Sequence, residues 1–148
     1  MEGSARGFDD PRPDPDRDPA QGKGRRRGLD RQALGRTLGY MRAHLDQRIG
    51  LPEMAAAACM SRFHFARLFR RTTGCSPMEY LQGLRLGTAA RMLSEGRFAM
   101  GDIALATGFC DQSHFCRVFR RRTGMTPRQY ARRCADGLPL PLMPAQAQ

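Results

Sequence analysis

An internal repeat constrains this chain more than any other feature. Ser61–Tyr80 (SRFHFARLFRRTTGCSPMEY) set against Asp111–Tyr130 (DQSHFCRVFRRRTGMTPRQY) is identical at ten of twenty positions, an offset of 50 residues. The identities include His64/His114, Phe65/Phe115, Arg67/Arg117, Phe69/Phe119, Gly74/Gly124, Pro77/Pro127 and Tyr80/Tyr130. Upstream the offset falls to 49, where Met54-Ala55 matches Ile103-Ala104 and Cys59 stands opposite the turn glycine Gly108. The second copy therefore carries one extra residue in the turn around Gly108. At 148 residues the chain has room for one modest domain with tails, or two very small units sharing a core.

Each copy reads as a short helix, a tight turn, a longer Arg-bearing helix and the start of another. Ser61 and Asp111 are good N-caps for the longer helices, and Gly74 and Gly124 good glycines to follow them. Ser76-Pro77-Met78-Glu79 and Thr126-Pro127-Arg128-Gln129 are capping boxes, with a hydroxyl at the cap, Pro at the first helical position and Glu or Gln at the third. The first box predicts a linker helix over about 77–95, with Leu81, Leu84, Ala89, Ala90 and Leu93 as its apolar positions. Gly83 and Gly87 interrupt it at roughly 1 kcal/mol each relative to Ala. Ahead of the repeat, Leu34, Leu38, Met41 and Leu45 predict an amphipathic helix from about Asp30 to Gln47, followed by a short helix from Pro52 to about Ala58.

The expected fold is all-α. Residues 1–28, rich in Pro, Asp, Gly and Arg, have too few large apolar side chains to offset the entropy of ordering and read as a disordered tail. An ordered domain over 29–135 follows, then a Pro-punctuated flexible tail over 136–148. Within the domain, the first helix-turn-helix spans about 51–74, the second about 102–124, and a final helix about 127–134. Met41, Met54, Met60 and Met92 fall at apolar helical positions and read as core filler.

Charge points to a partner. The chain has a net charge of +11, and residues 31–135 alone hold eighteen Arg against six acids, while residues 1–30 balance to zero. A basic folded domain implies a docking surface for an acidic polymer. No apolar run approaches the ~20 residues that span a bilayer, and no signal-peptide pattern opens the chain, so a soluble, cytoplasmic protein is expected. Five cysteines without a CxxC pair argue against a disulfide framework or a tetrahedral zinc site.

In the helix-turn-helix plan the second helix of each unit lies in the major groove. Phe65, Leu68 and Phe69 form an inner stripe, and Phe63, Ala66, Arg67 and Arg70 an outer one. In the second copy Phe115, Val118 and Phe119 point in, and Ser113, Cys116, Arg117 and Arg120 point out. Outer arginines can fork onto guanine O6 and N7, while Ser or Gln can bond base edges. Arg70, Arg71, Arg120, Arg121 and Arg122 lie toward the helix ends, where phosphate contact is expected.

These residues resemble the AraC/XylS family of transcription regulators. The second copy carries the signature closely in Ile103-Ala104, Gly108-Phe109, Ser113-His114-Phe115, Arg117, Phe119-Arg120-Arg121, Gly124, Pro127 and Tyr130. The first copy matches its weaker partner in Met54-Ala55, Met60-Ser61, His64-Phe65, Arg67, Phe69, Gly74, Pro77, Tyr80-Leu81 and Arg85-Leu86. The resemblance covers about residues 31–134. It implies a seven-helix bilobal domain, two helix-turn-helix motifs joined by a linker helix, whose recognition helices enter successive major-groove segments of double-stranded DNA. By family position, Arg62, Phe63, Ala66 and Arg67 look base-facing in the first helix, and Gln112, Ser113, Cys116 and Arg117 in the second. Ala66 and Cys116 are short, so those sites should read bases weakly. The usual N-terminal ligand-sensing or dimerisation domain does not precede this region, which suggests a stand-alone form, a short paralogue or a fragment.

A nucleoid-associated regulator that binds DNA as a monomer, with RNA polymerase as a second candidate partner, is the resulting expectation. Its alternative is an interaction module or anti-regulator that competes for RNA polymerase or another regulator. An enzyme is disfavoured, because the sequence has no nucleophile–base arrangement, phosphate loop or paired carboxylate. No cofactor or metal is expected: His64 and His114 are repeat-equivalent and belong to separate units. Cys110 and Cys116 as a redox sensor would need a depressed pKa or exposure.

Overall fold

The computed structural model describes residues 28–138. The expected N-terminal tail lies outside the described residues except for Gly28, as does the C-terminal tail from residue 139 onward. Among the described residues there are seven α-helices and no strand: α1 (Arg31–Ala43), α2 (Leu51–Ala57), α3 (Arg62–Thr73), α4 (Pro77–Glu95), α5 (Met100–Ala106), α6 (Gln112–Thr123) and α7 (Pro127–Ala135). No helix is long and apolar enough to cross a membrane.

Two separate cores form. The first joins Ala33 and Met41 of α1, Met54 and Ala55 of α2, Phe65, Leu68 and Phe69 of α3, and Tyr80, Leu81 and Leu84 of α4. The second joins Leu86, Ala89, Ala90 and Leu93 of α4 to Ile103 and Ala104 of α5, Phe115, Val118 and Phe119 of α6, and Tyr130 of α7. Linker helix α4 thus serves both lobes. Advancing 100° per residue, its two apolar sets (77, 80, 81, 84 and 86, 89, 90, 93) centre about half a turn apart. The helix changes its buried face between Leu84 and Leu86, and one residue stands at the change, Arg85.

Packing repeats down to single contacts. Phe69 meets Tyr80 edge-on at 5.5 Å between ring centroids, and Phe119 meets Tyr130 at 5.2 Å. Such pairs add about 0.5–1.5 kcal/mol beyond their burial. Thr73 Oγ1 donates to Phe69 O at 2.9 Å, and Thr123 Oγ1 to Phe119 O at 2.8 Å. Both capping boxes close: Ser76 N–H donates to Glu79 Oε2 at 2.8 Å and Thr126 N–H to Gln129 Oε1 at 2.9 Å.

Three features depart from the sequence reading. Helix α1 stops at Ala43 rather than near Gln47, and in the turn beyond it the carbonyls of Leu45 and Gln47 accept from Arg85. Its buried face is Ala33, Thr37 and Met41, with Leu34 and Leu38 only flanking the core. Thr37 tolerates full burial by donating to Ala33 O at 2.9 Å. At the other end Asp136, Gly137 and Leu138 cap α7: Gly137 takes φ +65° and lets Leu138 N–H reach Arg133 O at 2.9 Å.

The turn of each helix-turn-helix needs a left-handed residue. Gly108 supplies it at φ +78°, and Cys59 takes it at φ +57°, the only non-glycine residue with positive φ among those described. Met60 N–H and Phe109 N–H then make equivalent bonds, to Ala55 O and Ala104 O, both 3.0 Å. The extra residue of the second copy is therefore Cys110, just after this turn.

Candidate nucleic-acid interface

Helices α3 and α6, the second helix of each helix-turn-helix unit, both begin at a side-chain cap. Ser61 accepts from His64 N–H at 3.4 Å, and Asp111 Oδ1 from His114 N–H at 2.7 Å. Both end on a left-handed glycine, Gly74 at φ +83° and Gly124 at φ +79°. Between these limits one face is anchored in a core by two buried phenylalanines, so the opposite face must meet solvent.

On that face Arg62, Phe63, Arg67, Gln112, Ser113 and Arg117 are exposed, while Ala66 and Cys116 are half-buried. Phe63 is 69% exposed, an unusual position for an aromatic ring unless something covers it, and Arg62 lies over it at 5.7 Å. Arg70, Arg71, Arg120 and Arg121 are exposed in the last turns, where they also complement the helix dipoles. Arg122 differs. It is half-buried and donates to Gln82 Oε1 of α4 at 3.3 Å, tying α6 to the linker helix.

Few acids oppose these arginines. Glu95 pairs with Arg91 and Arg97, both at 2.9 Å, and Glu53, Glu79 and Asp111 are engaged in helix caps. Among the described residues no carboxylate lies within ion-pair distance of Arg67, Arg71, Arg117 or Arg121. Among the described residues, the face that carries these four arginines is cationic.

The histidines that match in the two helices, His64 and His114, are placed differently in the two lobes. Nη2 of Arg67 lies 3.3 Å from His64 Nδ1, so the ring nitrogen can accept from it. His114 instead turns inward, edge-on to Phe109 at 5.6 Å, with Nδ1 buried and without a hydrogen-bond partner. The two histidines thus serve separate lobes. Burial pushes the Cys116 thiol up, with Arg128 pulling it back, which is opposite to what a reactive thiolate requires.

Two arginines escaped the sequence reading. Arg128, exposed in the first turn of α7, acts electrostatically on Cys116 and so adds a cation beside the α6 face. Its signal was the repeat itself, since Arg128 replaces Met78 inside an otherwise matched capping box. Arg85 falls among the positions that match the family, but nothing in sequence gave its role, because its partners are backbone carbonyls about forty residues away.

Two arginine-faced helix-turn-helix units built on the two sides of one helix define a double helix-turn-helix domain. A family model described as a helix-turn-helix domain matches residues 54–133. The chain belongs to the AraC/XylS family of regulators. It is similar to an AraC-type DNA-binding domain protein from Chromobacterium violaceum, at 28% identity and a TM-score of 0.66 over 70% of this chain and 93% of that one. It is likewise similar to the DNA-binding domain of AdpA, solved with a target DNA, at 29% identity and a TM-score of 0.66 over 71% of this chain and 96% of that one. In sequence it is 31% identical over 72 residues to the MmsAB operon regulatory protein of Pseudomonas aeruginosa, covering 49% of this chain and 24% of that protein. It is 30% identical over 80 residues to the transcriptional activator Btr of Bacillus subtilis, covering 54% of this chain and 15% of Btr. The chain thus spans about a quarter or less of these two relatives.

Proposed function

We propose that this chain is a sequence-specific DNA-binding transcription regulator that lays α3 and α6 into successive major-groove segments on one face of a duplex. One observation carries the reading: an exposed arginine recurs at equivalent positions, Arg67 and Arg117, on helices whose opposite faces anchor separate cores. The fold does not need those side chains, yet both copies hold them. Arg62, Phe63, Ala66 and Arg67 face bases from α3, and Gln112, Ser113, Cys116 and Arg117 from α6. Arg70, Arg71, Arg120 and Arg121 hold phosphates, and Arg122 reaches them with whatever donors Gln82 leaves it.

Helix length agrees. Nineteen residues of α4 span about 28 Å, close to the ~34 Å between major-groove segments one turn apart. AdpA's domain, similar in fold over most of its length, was solved on its target DNA, which supports the same docking here. Because the two reading faces differ, one monomer occupies an asymmetric site of about 20 base pairs. Such a regulator works in the cytoplasm at the nucleoid. RNA polymerase is its second partner, as suits a relative of the activator Btr.

The test is selection of bound duplexes from a random library with the full chain, followed by native mass spectrometry of the complex. The expected result is an asymmetric motif bound one to one at low micromolar concentration or tighter. A helical protein that binds no DNA, or all sequences alike, would overturn this reading in favour of a module that competes for polymerase or another regulator.

A further inference from the structure

The lobes touch chiefly through the helix they share, and a helix alone is a slender tether that bends gently over its length. Arg85 adds a second connection. It sits on α4 where the buried face switches from one core to the other, half-buried itself. Its Nε donates to Leu45 O at 3.0 Å and its Nη2 to Gln47 O at 2.7 Å, so one planar guanidinium holds the α1–α2 turn of the first lobe at two points.

The second lobe presses on the same spot. Gly108, in the α5–α6 turn, lies so close that a Cβ there would overlap the Leu45 carbonyl and come within 2.8 Å of Arg85 Nε. Arg48 Nη2 extends the contact to Cys110 Sγ at 3.7 Å. The Gly108 turn leads straight into Asp111, the cap of α6, and the Leu45–Gln47 turn leads into α2, which packs on α3. Whatever fixes these turns to each other fixes the two reading helices to each other.

We propose that Arg85 is a positioning residue that sets the spacing between the two DNA sub-sites this chain accepts, by clamping the Leu45–Gln47 turn to the Gly108 turn. The inference rests on the DNA reading above. Inserting one base pair between sub-sites rotates the second by about 34° and moves it about 3.4 Å, which a clamped pair of lobes cannot follow.

The probe is a duplex recovered from the random library, together with versions carrying one base pair more or fewer between the sub-sites. For the wild-type chain each shift should lower affinity on the order of tenfold or more, the loss expected when contacts to even one base pair are given up. For Arg85→Ala that loss should shrink to within about threefold, while discrimination among bases inside each sub-site is unchanged. Arg85→Lys, with a single ammonium for two carbonyls, should fall between them. An Arg85→Ala protein that keeps the full spacing penalty overturns the proposal, and so does a wild-type chain that tolerates both spacings within about threefold. If circular dichroism finds Arg85→Ala unfolded, Arg85→Lys carries the test, and an undiminished penalty there overturns it equally. A wild-type chain without any sequence preference defeats the DNA reading itself, a result separate from the spacing measurement.

Discussion

In the first lobe Phe65, Phe69 and Tyr80 line up with their rings tilted or edge-on, and in the second Phe115, Phe119 and Tyr130 do the same, with centroid distances that differ by a few tenths of an ångström. Outside the cores the copies part. Arg62-Phe63 faces Gln112-Ser113, Ala66 faces Cys116, Met78 faces Arg128, and His64 bonds Arg67 where His114 turns in upon Phe109. Repetition holds where burial punishes change, and divergence holds where solvent permits it. Three arginine pairs, Arg67/Arg117, Arg70/Arg120 and Arg71/Arg121, break that division, being both exposed and repeated.

The comparison breaks most visibly if the cores are not equivalent. Phe69→Ala and Phe119→Ala each empty a fully buried aromatic site, and each should cost about 3–5 kcal/mol. Chemical denaturation should show near-equal losses. A large loss for one and less than about 1 kcal/mol for the other would mean that one lobe carries the stability of both.

The two turns offer an asymmetric exchange. Gly108→Ala adds a Cβ at φ +78° that overlaps Leu45 and Arg85, and should cost about 3 kcal/mol, combining left-handed strain with overpacking. Cys59→Gly relieves the same backbone strain in the open first turn, and should gain up to about 1 kcal/mol. Melting temperatures check both. Equal sensitivity of the two turns would remove Gly108 from the junction between lobes.

Much of this was legible in sequence, for a physical reason. Caps, turn glycines and core stripes act over four residues or fewer, so Ser61, Asp111, Gly74, Gly124 and the two boxes announce themselves. The resemblance of the repeat to a known family then supplied the bilobal plan. What stayed hidden acts across distance. Nothing local says that α4 buries opposite faces in its two halves, that Arg85 captures two carbonyls before α2, or that Arg122 reaches back to Gln82. Arginine on a helix reads as solvated or DNA-facing until its partner is known, and Arg85 and Arg122 find theirs inside the protein.

Reading and holding should separate on the outer faces. Arg67→Ala and Arg117→Ala should each cost about 1–3 kcal/mol and relax preference at a few base pairs. Arg71→Ala and Arg121→Ala should weaken binding to all sequences alike. With about six phosphate contacts, log K should fall against log salt with a slope near −5, and each of the latter two variants should flatten it by about one unit. Titration against single-base variants of the selected site, at two salt concentrations, gives both answers. Unchanged discrimination in Arg67→Ala and Arg117→Ala would move the reading face elsewhere.

The smallest effect lies in the two capping boxes, whose closing side chains, Glu79 and Gln129, differ by one atom. Glu79 closes the first and can titrate, whereas Gln129 closes the second and cannot. Glu79 is held below the usual carboxylate range, first by the Ser76 backbone N–H, then by the Ser76 hydroxyl, with Arg70 and Arg122 adding to it. A carboxyl whose pKa is depressed on folding stabilises the folded state above its unfolded pKa, and that contribution is lost as pH falls through the folded value. Acidification should therefore loosen the start of α4 and leave the start of α7 untouched. Amide exchange at Ser76 and Thr126 reports each box directly. Ser76 protection should fall only below the usual carboxylate range, Thr126 should stay level, and Glu79→Gln should make the first box as indifferent to pH as the second. If Ser76 instead loosened at or above the ordinary carboxylate pKa, Glu79 would not be held by the cap, and the two lobes would differ less in their caps than their sequences do.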